Sequence, residues 1–203
     1  MAIVGLSYPV LAKYALSGSS IVYSEGKQIG HAINYSSSYD TSDDNNLFGD
    51  NMIVESDSGV FQSGTLTLET SELTPENSAW LLGISAASVS FTPSGTTTAV
   101  TMSEYVYDDD IAPKNLGFGI IEKHIINGVT KYRPMILTKL RSKINQDDAK
   151  TQGENIDWQT KSIEFAIQRD DSAKHAWKIE GDFCADEATA KGYIDYKLGV
   201  SNS

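Results

Sequence analysis

An Asn127-Gly128 pair lies between two apolar-rich stretches, and no other feature constrains the chain as much. Both residues accept the positive φ of a type I′ turn, so the pair specifies a β-hairpin and sets its register. With these two as the loop, Phe118 faces Leu137, Ile120 faces Met135, Glu122 faces Arg133 and His124 faces Lys131. One face of the ribbon then has an apolar base and a charged tip, which predicts a packed root and a wet end. The stretch around it, Gly117 to Asp182, continues into two more strands. Ile156 and Trp158 fall on even numbers but Ile163, Phe165 and Ile167 on odd ones, so a β-bulge is expected near Thr160 to Ser162. Trp177, Ile179 and Phe183 alternate with Lys178, Glu180 and Asp182 as a last strand.

The rest of the chain repeats this alternation. Residues Ile3 to Tyr14 read as an extended segment, and Pro9 argues for an edge position. Ile29, His31, Ile33, Tyr35 and Tyr39 share one face of a half-buried strand whose other face is Gln28, Ala32, Asn34, Ser36 and Ser38. The run from Asp40 to Asp50 is too polar to pack internally, so it is expected as a long loop or hairpin tip with Leu47 and Phe48 as its anchors. Met52 to Glu55 and Gly64 to Thr70 return as strands, with Leu66 and Leu68 inward. Val89 to Phe91 and Val100 to Met102 flank an SGTTT turn as a further hairpin.

Two helices are expected. Thr74, Pro75, Glu76 and Gly83 supply an N-cap, a first-turn proline, a first-turn acid and a C-cap, with Trp80 and Leu81 as anchors. Asp186 to Leu198, ending at Gly199, reads as the second, and Arg141 to Asn155 as a loop. Eight or more strands and two short helices predict a mainly β fold of packed antiparallel sheets, a sandwich or barrel. At 203 residues it forms one domain, 1–203.

Charge and chemistry narrow the function. A net charge of -11 argues against a basic nucleic-acid or anionic-membrane surface as the working part. The single cysteine, Cys184, allows no internal disulfide and no cysteine-rich zinc site. The apolar N-terminus is interrupted by Pro9, Lys13 and Tyr14 well short of the ~20 residues of a membrane span. His31, His124 and His175 sit in no metal or nucleophile motif, and GxSxG, GxGxxG and Walker loops are absent. Asp44, Asn46, Gly49 and Glu55 fit positions of a calcium loop, but Phe48 stands where an oxygen ligand is needed and the neighbours read as strands. No enzyme and no cofactor is expected. What remains is a protein of long strands and projecting hairpins, suited to pairing with copies of itself. The rival reading is a monomeric β-sandwich module binding carbohydrate or calcium, with Trp80, Trp158 or Trp177 as a stacking platform.

The segments MAIVGLSYPVLAKY, YSEGKQIGHAINYSSSYDTSDDNNLFGDN, FQSGTLTLETSEL and KYRPMILTKLRSKINQDDAKTQGENIDWQT, taken in that order and spacing, resemble the major tail (tail tube) protein of long non-contractile-tailed bacteriophages. The resemblance implies two packed sheets with a flanking helix, closing as a six-subunit ring. Stacked rings would form a virion tail tube, made in the host cytoplasm, through whose lumen DNA leaves without specific binding. It also implies contacts with copies of the chain and with tape measure, tail terminator and distal tail proteins, and none with a membrane. By the same resemblance an N-terminal arm (1–16) and a projecting loop (40–55) are assembly segments. Their candidate residues are Tyr8 and Pro9 in the arm, and Asp40, Asp43, Asp44, Asn45, Asn46, Leu47, Phe48 and Asp50 in the loop.

Overall fold

A computed structural model describes residues 2–143, 151 and 160–200 of the chain. In chain order the strands are β1 (Ala2–Ser17), β2 (Ser20–Gln28), β3 (Ala32–Thr41), β4 (Asn45–Gly49), β5 (Met52–Asp57) and β6 (Phe61–Thr70). Helix α1 (Pro75–Leu82) follows, then β7 (Ala86–Phe91), β8 (Val100–Tyr105), β9 (Asn115–Ile126), β10 (Val129–Ser142), β11 (Lys161–Gln168), β12 (Lys178–Glu180) and α2 (Glu187–Leu198). The main sheet has eight antiparallel strands in the order β2-β1-β9-β10-β11-β6-β3, with β12 added beside β10. Two separate ribbons, β4-β5 and β7-β8, stand apart from it.

The sheet is anchored on the β9-β10 hairpin. Asn127 and Gly128 take φ of 50° and 78°, and the four pairings expected from the turn are all present. Both faces of this hairpin's root are covered. On one side Phe118, Ile120, Met135 and Leu137 join Leu66, Leu68, Phe165 and Ile167 in the main core, so the sheet folds over on itself as two facing layers without closing as a barrel. On the other side Ile121 and Ile136 meet Ala190, Ile194 and Leu198 of α2.

Glycine makes room for that helix. A Cβ on Gly119 would lie 2.7 Å from Ile194 Cγ2 and 3.0 Å from Leu198 Cδ1, and one on Gly117 would run into the Tyr23 ring. The spacing Gly117-Phe118-Gly119 therefore gives β9 a bare face for α2 and a filled face for the core. Both helices are capped as expected: Thr74 Oγ1 accepts from Asn77 N and Asp186 from Thr189 N, while Gly83 and Gly199 close them in the left-handed region.

Several expectations are corrected. Strand β1 is flanked by β2 and β9, so Pro9 is not on an edge strand. The proline is accommodated because β1 breaks register with β9 between Ser7 and Val10, where no ladder bond needs its missing N–H. Beyond that break β2 covers only Val10–Ser17, leaving Ala2–Ser7 paired on one side alone. In β3, a register slip between Ala32 and Asn34 turns Ala32, Tyr35 and Tyr39 toward the core and leaves His31 and Ile33 exposed. Two charged residues near the hairpin's end, Glu122 at 1% and His124 at 3% exposed, are not wet either, whereas Lys123 is exposed. Trp177 to Phe183 is not one strand: β12 has three residues, with Trp177 packed on the main core and Ile179 against the α2 cluster. Of the bulge expected near Thr160 to Ser162 the described part shows none, since Lys161–Ile167 pairs with β6 without a slip, while the platform residue Trp158 lies among residues 152–159, outside the described ones.

Candidate assembly surface

The β4-β5 ribbon begins where β3 ends. Asp50 and Asn51 turn the chain with φ of 51° and 66°, the left-handed pair that asparagine and aspartate tolerate best. Its base is tied by Ser42 N to Val60 O (2.9 Å), Val60 N to Ser42 Oγ (3.0 Å) and Gly59 N to Asp44 Oδ1 (2.8 Å). A slip between Leu47 and Phe48 leaves Val54 as the extra residue of β5. Gly49 gives that residue space, for a Cβ there would meet Val54 Cγ2 at 2.7 Å.

The ribbon carries apolar side chains that nothing among the described residues covers. Leu47 is 61% exposed, Phe48 67%, Met52 65% and Val54 64%, with Ile53 also more than half exposed. Leu47 and Phe48 are thus not anchors within the subunit, contrary to the expectation from sequence. Acidic groups surround them: Asp43, Asp50, Glu55 and Asp57 are exposed, and among the described residues none has an ion-pair partner. Asp40 accepts from Ser63 Oγ at 3.2 Å, while Asn45 and Asn46 lie opposite Asp57 and Ser56. Several exposed apolar side chains gathered on one short ribbon mark an interaction site more often than isolated exposed residues do.

The two N-terminal candidates have internal roles. Tyr8, at φ 55°, donates its hydroxyl to Asp195 at 2.6 Å and lies under the Lys191 ammonium, which is 4.7 Å from the ring centroid. Burial and then Asp195 hold its phenol well above the usual tyrosine range. Pro9 is buried and its carbonyl accepts from Ile29 N at 3.0 Å. The open edge of β1 at Ala2–Ser7, with Ile3 and Val4 about half exposed, is the part of this segment available to a partner.

A buried ionic cluster, not apparent from sequence, sits below the hairpin tip. Glu122 Oε2 accepts from Arg133 Nε (2.8 Å), Arg133 Nη2 (2.6 Å) and His124 Nε2 (3.0 Å), and Oε1 accepts from the Tyr35 hydroxyl. Burial by itself would raise the Glu122 carboxyl, but the bonds from Tyr35, Arg133 and His124 outweigh it and hold the group below the usual carboxylate range. Tyr35 on β3 reaches across to β9, so the cluster pins the two layers together. The cross-strand pairing of Glu122 with Arg133 was the legible signal; Tyr35 as cover was not.

Of the tryptophans expected as platforms, Trp80 and Trp177 are engaged by the chain itself, and Trp158 lies outside the described residues. Trp177 stacks on Phe61 at 4.7 Å and meets Tyr39 at 4.5 Å, while Trp80 has the Lys27 ammonium 4.6 Å from its ring and donates to Glu25 at 3.1 Å. Among the described residues no group of three or more His, Cys, Asp or Glu is placed to hold a metal ion, and no helix is long and apolar enough to cross a membrane.

No family model and no curated protein matches this chain.

Proposed function

We propose that this chain is a structural subunit that assembles with copies of itself, as the building block of a phage-type tail tube. The observation that carries the reading is the β4-β5 ribbon, which holds five large apolar side chains in water on a two-stranded stalk. A two-stranded ribbon is marginal alone and gains stability only when a partner covers it. The one-sided strand Ala2–Ser7 adds a row of unpaired backbone groups of the kind that intermolecular sheets extend. In this reading six copies close a ring, rings stack into the tail of a virion, and DNA passes through a lumen that the acidic chain does not grip. Tape measure, tail terminator and distal tail proteins would meet the tube at its ends and inside.

Electron microscopy of concentrated protein tests it, with tubes of stacked rings as the expected result. Deleting Asn45–Asp50 should leave a folded monomer that makes none. A full chain that stays monomeric at millimolar concentration, or a deletion variant that still forms normal tubes, would remove the basis for the reading.

A further inference from the structure

The β4-β5 ribbon is apolar and acidic, and a second surface of the same chain is its complement. Around the β9-β10 turn, Ile125 and Val129 are about half exposed, and Ile3 and Val4 of the open β1 segment lie beside them, Ile3 being registered opposite His124. Lys123 and Lys131 flank the turn on the two opposite faces of the ribbon, paired across the ladder with Tyr132 and His124. Among the described residues neither lysine has a carboxylate within ion-pair distance, since the one acid on the hairpin, Glu122, is buried against Arg133. The chain is strongly acidic overall, so an exposed apolar hairpin end flanked by two lysines stands out against its surface.

We infer that this tip patch is the seat for the β4-β5 ribbon of a neighbouring copy. Phe48 and its apolar neighbours would cover Ile3, Val4, Ile125 and Val129, while Asp50 and Glu55 approach Lys123 and Lys131. Complementary charge at the rim selects register and speeds encounter, and apolar burial holds the contact. The two surfaces differ, so the contact is head-to-tail and closes as a ring or runs on as a filament. Strands β3 and β9 run in the same sense through the alternating ladder, which makes the ribbon and the Asn127-Gly128 turn leave the same end of the sheet. A contact between neighbours at one level of an assembly follows. This inference rests on the self-assembly reading but assigns the receiving surface, which that reading leaves open.

Zero-length carbodiimide coupling of a mixture of ¹⁴N- and ¹⁵N-labelled chains at high concentration tests it, with mixed-isotope cross-links mapped by mass spectrometry. Expected are links from Lys123 or Lys131 of one copy to Asp43, Asp50, Glu55 or Asp57 of another. Assembly that yields intermolecular links only through other lysines would overturn this inference and leave self-assembly standing. An absence of any intermolecular link, together with monomeric protein, would overturn both. As a second arm, the double change Lys123→Glu with Lys131→Glu should raise the concentration needed for assembly by about tenfold, and Asp50→Lys with Glu55→Lys should restore it. Normal assembly of the lysine variant also counts against the inference.

Discussion

Replacing Glu122 by Gln removes one charge and almost no volume from the cluster that joins β3 to the β9-β10 hairpin. The amide oxygen can still accept from Arg133 and His124, and Tyr35 can turn its hydroxyl to accept from the new NH₂. What is lost is the counter-charge of Arg133. Breaking a buried pair from one side costs roughly 3–5 kcal/mol. Arg133 keeps 22% of its side chain in contact with solvent and a second carboxylate, Glu180, at 3.4 Å, which places the expected cost at the lower end, about 3 kcal/mol at pH 7. The carboxyl's folded value lies below its ordinary one of 4.5. Its contribution is therefore complete above about pH 4.5 and is lost as pH falls through the folded value. The gap between wild type and Glu122→Gln should close in acid. Urea unfolding of dilute, monomeric protein at pH 7 and pH 3, followed by tryptophan fluorescence, measures both quantities. A variant within about 0.5 kcal/mol of wild type at pH 7, or a gap of equal size at both pH values, would refute the reasoning.

Other perturbations separate packing from assembly. Gly119→Ala places a methyl 2.7 Å from Ile194 Cγ2 and should cost about 1–3 kcal/mol by forcing α2 away from β9, read as a lower melting temperature. Trp177→Ala empties the space between Phe61 and Tyr39 and should cost about 3–5 kcal/mol in the same assay. Leu47→Ser combined with Phe48→Ser alters only side chains that are mostly in water, so stability should stay within about 0.5 kcal/mol while assembly by sedimentation is lost. Gly128→Ala puts a methyl on a residue at φ 78° and should cost about 1 kcal/mol of unfolding free energy.

Local chemistry was readable wherever it is self-contained. Asn127-Gly128 specified a turn and four cross-strand pairs, and Thr74 to Gly83 and Asp186 to Gly199 specified two helices with their caps. Depth was not readable. Alternation in Ile29 to Tyr39 assigns a side but not the slip near Ile33 that changes it, because a bulge is set by the partner strand. Glu122 and His124 look like a solvated tip by composition; they are covered because Tyr35 and Phe183 arrive from distant parts of the chain. The same holds for the candidate surface. Its loop was visible as a polar interruption, but Leu47 and Phe48 were expected to turn inward, since sequence cannot show that none of the described residues packs over the ribbon. Tyr8 and Pro9 stood in an N-terminal segment read as an assembly arm, although only Ala2–Ser7 keeps one side unpaired.

The break at Tyr8-Pro9 divides β1 into two parts with different amide exchange behaviour. From Val10 to Lys13 the strand is held by ladders on both sides and its protected N–H groups should exchange only when the sheet opens. Between Ala2 and Ser7 the groups pointing away from β9 have no ladder partner among the described residues, and these should deuterate within the first moments of exposure. One strand thus carries a slow reporter of subunit folding beside a fast reporter of the free edge. Slowing of the second with no change in the first would be the spectroscopic mark of a neighbour's strand arriving there.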